Sequence, residues 1–148
     1  MFGFLKNTQQ VDEDVQDEFI ERVQAAAEDF LTVAPDRSAL DYSLESVVAL
    51  DAALDEAYQG RLALTPMQTV GAAAYVYEVA RRHYGGLYEV CDDDDPVVLV
   101  TGEPEFDVCL CAISKVERRV RLGESEALTT FFQRFVSAVN ARESITIT

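Results

Sequence analysis

The sequence predicts an α+β domain: N-terminal helices, a small antiparallel β-meander, and C-terminal helices packed on one face of that sheet. Three observations carry this. Apolar residues recur at steps of three and four through much of residues 11 to 84, three short β-like runs separated by Asp, Pro and Gly follow between 87 and 111, and helical spacing resumes from 112 onward. Helices and strands are segregated rather than alternating, which separates α+β from βαβ architectures. At 148 residues the chain has the length of one domain and buries about two-thirds of its unfolded surface. Without a repeat or a Gly/Ser linker, residues 1 to 148 read as one unit, with 1 to 10 and 141 to 148 as the segments free to be loose.

The first helix takes its apolar face from Val11, Val15, Phe19, Val23, Ala26, Ala27 and Phe30, and Asp12, Glu13, Asp14 and Asp17 suit its N-terminus. Pro35 closes it near Val33, because the residue before a proline leaves helical geometry. Ser43 caps the second helix, whose apolar side is Leu44, Val47, Val48, Leu50, Leu54 and Ala57; Gly60 ends it. Thr65, Pro66 and Gln68 form a capping box with proline at the first helical position, and this third helix runs to about Tyr84 before Gly85 and Gly86. Leu87 to Cys91, Val97 to Thr101 and Phe106 to Cys111 then pair as a meander. A fourth helix spans about Ala112 to Arg121. The fifth shows the strongest period in the chain, Leu128, Phe131, Phe132, Phe135, Val136 and Val139, and the Ile-Thr-Ile-Thr tail either adds an edge strand or stays loose.

The chain carries 12 Lys and Arg against 27 Asp and Glu, a formal charge of −15. Such a field repels nucleic acid and anionic membranes and permits basic protein partners. Residues 1 to 58 hold 14 acids and 3 bases, a net of −11, whereas residues 81 to 142 hold 11 acids and 8 bases, a net of −3. Lys115, Arg118, Arg119 and Arg121 form one basic cluster, read first as a solvated helix face balancing nearby acid and second as a binding patch. Three cysteines argue against a secreted disulfide framework, and no apolar run reaches membrane-spanning length, so a cytoplasmic location is expected.

Chemistry-bearing motifs are sparse. Asp92 to Asp95 lack the alternate spacing and turn glycine of a calcium loop and read as a solvated hairpin tip. Cys91, Cys109, Cys111 and His83 lack zinc-knuckle spacing, so no metal is implied and the cysteines read as small buried hydrophobes; Cys-His catalysis is the weaker alternative. No cofactor fingerprint is present, and no residue earns a catalytic assignment. The end of the third helix is the richest segment. Tyr75, Glu78 and Arg82 share a face, Glu78 and Arg82 stand at ion-pair spacing, and with Arg81, His83 and Tyr88 they either line a ligand-binding cleft or serve the core.

Leu40-Asp41-Tyr42-Ser43, Glu45-Ser46 and Leu50-Asp51, followed by Ala74-Tyr75-Val76-Tyr77-Glu78-Val79, Arg81-Arg82-His83 and Gly85-Gly86, resemble an uncharacterised bacterial domain family, a domain of unknown function. The resemblance covers about residues 39 to 91. In that family the helix reads Gly-Ala-Tyr-Leu-Gly-Glu-Val and exits through Gly-Gly-x-Trp; here Tyr77 replaces a glycine and Tyr88 stands near the tryptophan. The resemblance implies a small cytoplasmic α+β domain, loosely associated with immunity-like and stand-alone bacterial proteins, and it supplies no substrate. Three readings follow from the sequence: a non-enzymatic, immunity-like protein-binding domain engaging a basic partner; a small-ligand binder or enzyme centred on Tyr75, Glu78 and Arg82; and a homo-oligomer joined by an exposed apolar stripe on the last helix.

Overall fold

The computed structural model describes residues 13–91 and 94–148, so expectations for residues 1 to 10, Val11, Asp12, Asp92 and Asp93 lie outside the described residues. Its elements follow the order α1 (Glu13–Leu31), α2 (Ser46–Tyr58), α3 (Pro66–Tyr84), β1 (Leu87–Val90), β2 (Val97–Thr101), β3 (Val108–Leu110), α4 (Ala112–Leu122), α5 (Leu128–Ala141) and β4 (Ile145–Ile147). Short 3₁₀ turns at Arg37–Ala39 and Glu124–Glu126 lead towards α2 and α5. This is the α+β arrangement the periodicities predict.

The capping box on α3 forms as read: Thr65 Oγ1 accepts from the Gln68 amide at 3.1 Å, and Gln68 Oε1 accepts from the Thr65 amide at 3.0 Å. Gly85, at φ 78°, turns the chain out of α3 into β1. The N-cap position of α2 is Glu45 rather than Ser43, because the helix starts at Ser46, but the Ser43 hydroxyl still accepts from the Ser46 amide at 3.2 Å. Leu44 and Val48 nevertheless point to solvent, because α2 buries the side carrying Val47, Leu50, Ala53 and Leu54.

Helix α3 is the centre of the molecule. Gly71 to Ala80 are buried without a break, since α1 covers one side of α3, α4 another, and β2 a third. The α1 contact is closest at Gly71, where any Cβ would collide with the Ala26 carbonyl oxygen. Absence of a side chain here is a packing requirement.

Strands β1, β2 and β3 pair antiparallel in consecutive order, and β4 adds to β3 in parallel. The sheet is therefore mixed rather than purely antiparallel. The C-terminal segment is not loose: α4 and α5 carry the chain back to the start of β3, where Ile145 N donates to Asp107 O at 3.0 Å and Cys111 N to Ile147 O at 2.9 Å. Ile147 is buried in the principal core with Tyr88, Leu99, Val108 and Leu110, and the helices cover that sheet face. The apolar stripe of α5 is core as well. Leu128, Phe131, Phe132, Phe135 and Ala138 are buried, and Val136 and Val139 pack partly against them, which corrects the expectation of an exposed stripe. Among the described residues no helix is long and apolar enough to cross a membrane.

Candidate functional site

Glu78 sits two-thirds of the way along α3, on the side that α1 and β1 cover, and its side chain is fully buried. Burying a lone carboxylate is costly, so the fold surrounds it with donors. Arg81 meets it with two bonds, Nε to Oε2 at 2.8 Å and Nη2 to Oε1 at 2.9 Å. Arg82 Nε adds a bond to Oε1 at 3.2 Å, Gln24 Nε2 of α1 another at 3.2 Å, and the Tyr88 hydroxyl donates to Oε2 at 2.7 Å. Burial pushes this carboxyl up most strongly as a single influence, but the bonds from Arg81, Tyr88 and Gln24 together outweigh it and hold Glu78 below the usual glutamate value. The same pair pushes Tyr88 far above the ordinary phenol value, through burial first and then the adjacent Glu78 charge.

Tyr75 lies on a different side of α3. Its hydroxyl donates to Ser46 Oγ at 2.7 Å and accepts from the Tyr42 amide at 2.9 Å. Tyr42, held at φ 62°, stacks its ring on Tyr75 at 4.5 Å, and the Arg82 guanidinium covers the Tyr42 ring at 3.8 Å. The Tyr42 hydroxyl donates to Glu28 Oε2 at 3.1 Å, and burial followed by Glu28 pushes it up to about 12. His83 Nε2 lies 2.9 Å from the Tyr42 carbonyl oxygen.

Of the residues picked from the sequence, Glu78, Arg82 and Tyr88 therefore meet directly, whereas Tyr75 and His83 reach them only through Tyr42 and Arg82. Arg82 alone belongs to both groups. Gln24, Tyr42, Glu28 and Gln16 complete the arrangement; no local spacing points to their contacts, because they act across separations of tens of residues. Gln16 is instructive: its carboxamide donates to Tyr88 O at 2.7 Å and accepts from Tyr88 N at 3.1 Å. In this way α1 occupies the backbone of edge strand β1 where another strand would pair. Tyr88 uses its hydroxyl on Glu78. Tyr77 uses its own to donate to Val97 O at 2.6 Å and accept from the Ala112 amide at 2.9 Å.

Two other expectations change. The basic cluster does balance nearby acid but is solvated only at Arg121: Arg119 is 2 % exposed and pairs with Asp51 at 2.9 Å and Asp55 at 3.2 Å, while Lys115 and Arg118 both reach Glu126, at 3.0 and 2.8 Å. Asp51 also accepts from the Leu128 amide at 2.8 Å and so caps α5. Likewise Asp95 is buried rather than part of a solvated tip, its carboxylate accepting from the amide and hydroxyl of Ser114 in the first turn of α4. Helix N-termini favour such anionic caps.

Cys109 and Cys111 do share a face, with sulfurs 4.0 Å apart beside Val98 and Val100, and His83 is elsewhere, against Tyr42. Among the described residues no three His, Cys, Asp or Glu side chains converge as metal ligands would. Chemically, the Glu78 arrangement holds a permanent carboxylate charge against two guanidinium groups; a carboxylate kept ionised by several donors is poorly disposed to accept a proton. No protein-family model, curated protein or solved structure matches this chain.

Proposed function

We propose that this chain is a non-enzymatic protein-binding domain, immunity-like in character, that engages a basic partner through the outer face of α1. One observation carries the reading. Glu13, Asp14, Asp17, Glu18 and Glu21 all face solvent on α1, Arg22 is the only base in that helix, and among the described residues none of these five acids is in an ion pair. Several acids elsewhere are consumed by the fold: Glu78 by Arg81 and Arg82, Asp51 by Arg119, Glu126 by Lys115 and Arg118. A helix face with this density of unneutralised charge raises the encounter rate with a basic surface and makes it salt-sensitive.

The test is recovery of partners by the tagged chain from native cytoplasm at low and at high salt. A basic protein is expected at low salt, weakened at high salt, and lost with the triple variant Asp17→Asn, Glu18→Gln, Glu21→Gln. Recovery of no basic protein at either salt, or recovery indifferent to the triple variant, sinks the reading.

A second reading, a small-ligand binder or enzyme at the end of α3, is supported by the surface position of Arg82 and His83 beside the Tyr42 ring. Thermal-shift screening against metabolites separates the two. A shift abolished by Glu78→Gln favours the ligand site, and no shift across a broad panel removes its support.

A further inference from the structure

Cys109 lies in β3 and Cys111 two residues on, just past its end, where the backbone still bonds to Ile147 of β4, and in extended backbone alternate side chains leave the same face. Their sulfurs lie 4.0 Å apart, and a disulfide needs about 2.05 Å, so closure asks each sulfur to move roughly 1 Å. The backbone around the pair is held on both sides. Cys111 N donates to Ile147 O at 2.9 Å, the next amide, Ala112 N, donates to the Tyr77 hydroxyl at 2.9 Å, and Asp95 caps α4 at Ser114. The two thiols are thus kept together by the fold and not by free rotation of a loop. They also differ in burial: Cys111 is buried, while Cys109 is half-buried and the more exposed of the two.

We propose that Cys109 and Cys111 form an oxidisable dithiol that closes to an intrachain disulfide when a peroxide is the oxidant. The Cys109 thiolate attacks one peroxide oxygen, the O–O bond breaks, and Cys109 becomes a sulfenic acid while the departing oxygen takes a proton and leaves as water. The Cys111 sulfur then attacks the Cys109 sulfur, the S–O bond breaks, and a second water leaves. Both thiol hydrogens end in water, the two sulfurs lose two electrons in all, and the peroxide gains them. Residues spaced two apart in a strand have Cα atoms near the upper limit for a disulfide, about 6.8 Å, so the bond is strained and readily reopened by a thiol of the glutathione class.

The experiment treats the folded full-length chain with hydrogen peroxide, quenches it by alkylation, and maps unreduced peptides cut between Cys91 and Cys109. The expected result is a peptide carrying Cys109 and Cys111 that has lost two hydrogens, with Cys91 alkylated, and its return to two alkylated thiols after reduced glutathione. The urea-unfolded chain is the control for preorganisation and is expected to give a mixture that includes disulfides to Cys91. Three results overturn the proposal: oxygen added at Cys109 without a disulfide, a disulfide to Cys91 or between chains as the main product of the folded protein, or the same product mixture folded and unfolded.

Discussion

Glu78 shows what residue spacing tells and what it hides. The i,i+4 relation with Arg82 is readable from the sequence, and that bond forms, yet Arg81 at i+3 makes the stronger, two-bonded contact. Gln24 and Tyr88 come from α1 and β1, and no local pattern announces them. Removing the charge strands two guanidinium groups that are partly wetted, which limits the cost of breaking a buried pair. Glu78→Gln is therefore expected to lower unfolding free energy by about 2 kcal/mol in urea titration, the magnitude of hydrogen bonds to a charged group. Tyr88→Phe, which removes one bond and keeps the ring, should cost about 1.5 kcal/mol. The pH dependence has a definite sign. Because the folded carboxyl is held below its unfolded value, its stabilisation is present above the ordinary glutamate range and is lost as pH falls through the lower folded value. Stability of Glu78→Gln, followed by circular dichroism from neutral pH into acid, should fall less steeply than that of the parent; an unchanged slope would place the acid sensitivity at other carboxylates.

At the scale of elements, every helix and all three meander strands were legible because each is set by local terms: period, capping box, proline and glycine. What was hidden is how the elements hold one another. Three aspartates whose partners no local pattern announces show the difference: Asp51 caps α5 and binds Arg119, Asp55 supports that same guanidinium, and Asp95 caps α4 from the far end of the β1–β2 hairpin. One of four consecutive aspartates looks solvated until the fold brings a helix N-terminus to it. Asp95→Ala should lower stability by about 1 kcal/mol, the usual worth of a helix cap, seen as a reduced urea midpoint with unchanged slope. The parallel pairing of β4 was equally invisible, because register across a two-helix crossover is decided by where α5 delivers Ile145. Gly71 lies under the α1 crossing, and a methyl there meets Ala26 backbone that has no rotamer to yield. Gly71→Ala should therefore cost about 1–3 kcal/mol by overpacking despite alanine's better helix propensity. A neutral or stabilising result would show that α1 shifts freely on α3.

Across the whole molecule, two kinds of acid stand out behind the charge of −15. Asp51, Asp55 and Glu56 of α2, Glu78 of α3 and Glu126 before α5 are paired with arginine or lysine, often within partly buried surroundings that salt screens weakly. Those on the outer face of α1 repel one another in open solvent, where screening is effective. Raising ionic strength should therefore relieve repulsion more than it weakens attraction, and the melting temperature should rise between about 10 mM and 150 mM sodium chloride, a range over which the Debye length shrinks from about 30 to 8 Å. The triple variant Asp17→Asn, Glu18→Gln, Glu21→Gln should melt higher at low salt and show a flatter salt response, measured by circular dichroism. Binding of a basic partner must carry the opposite sign, because the same ions screen an attraction. A chain whose stability falls with salt would mean that its ion pairs dominate its electrostatics, and the unpaired face of α1 would then lose its standing as the principal reservoir of unfavourable charge.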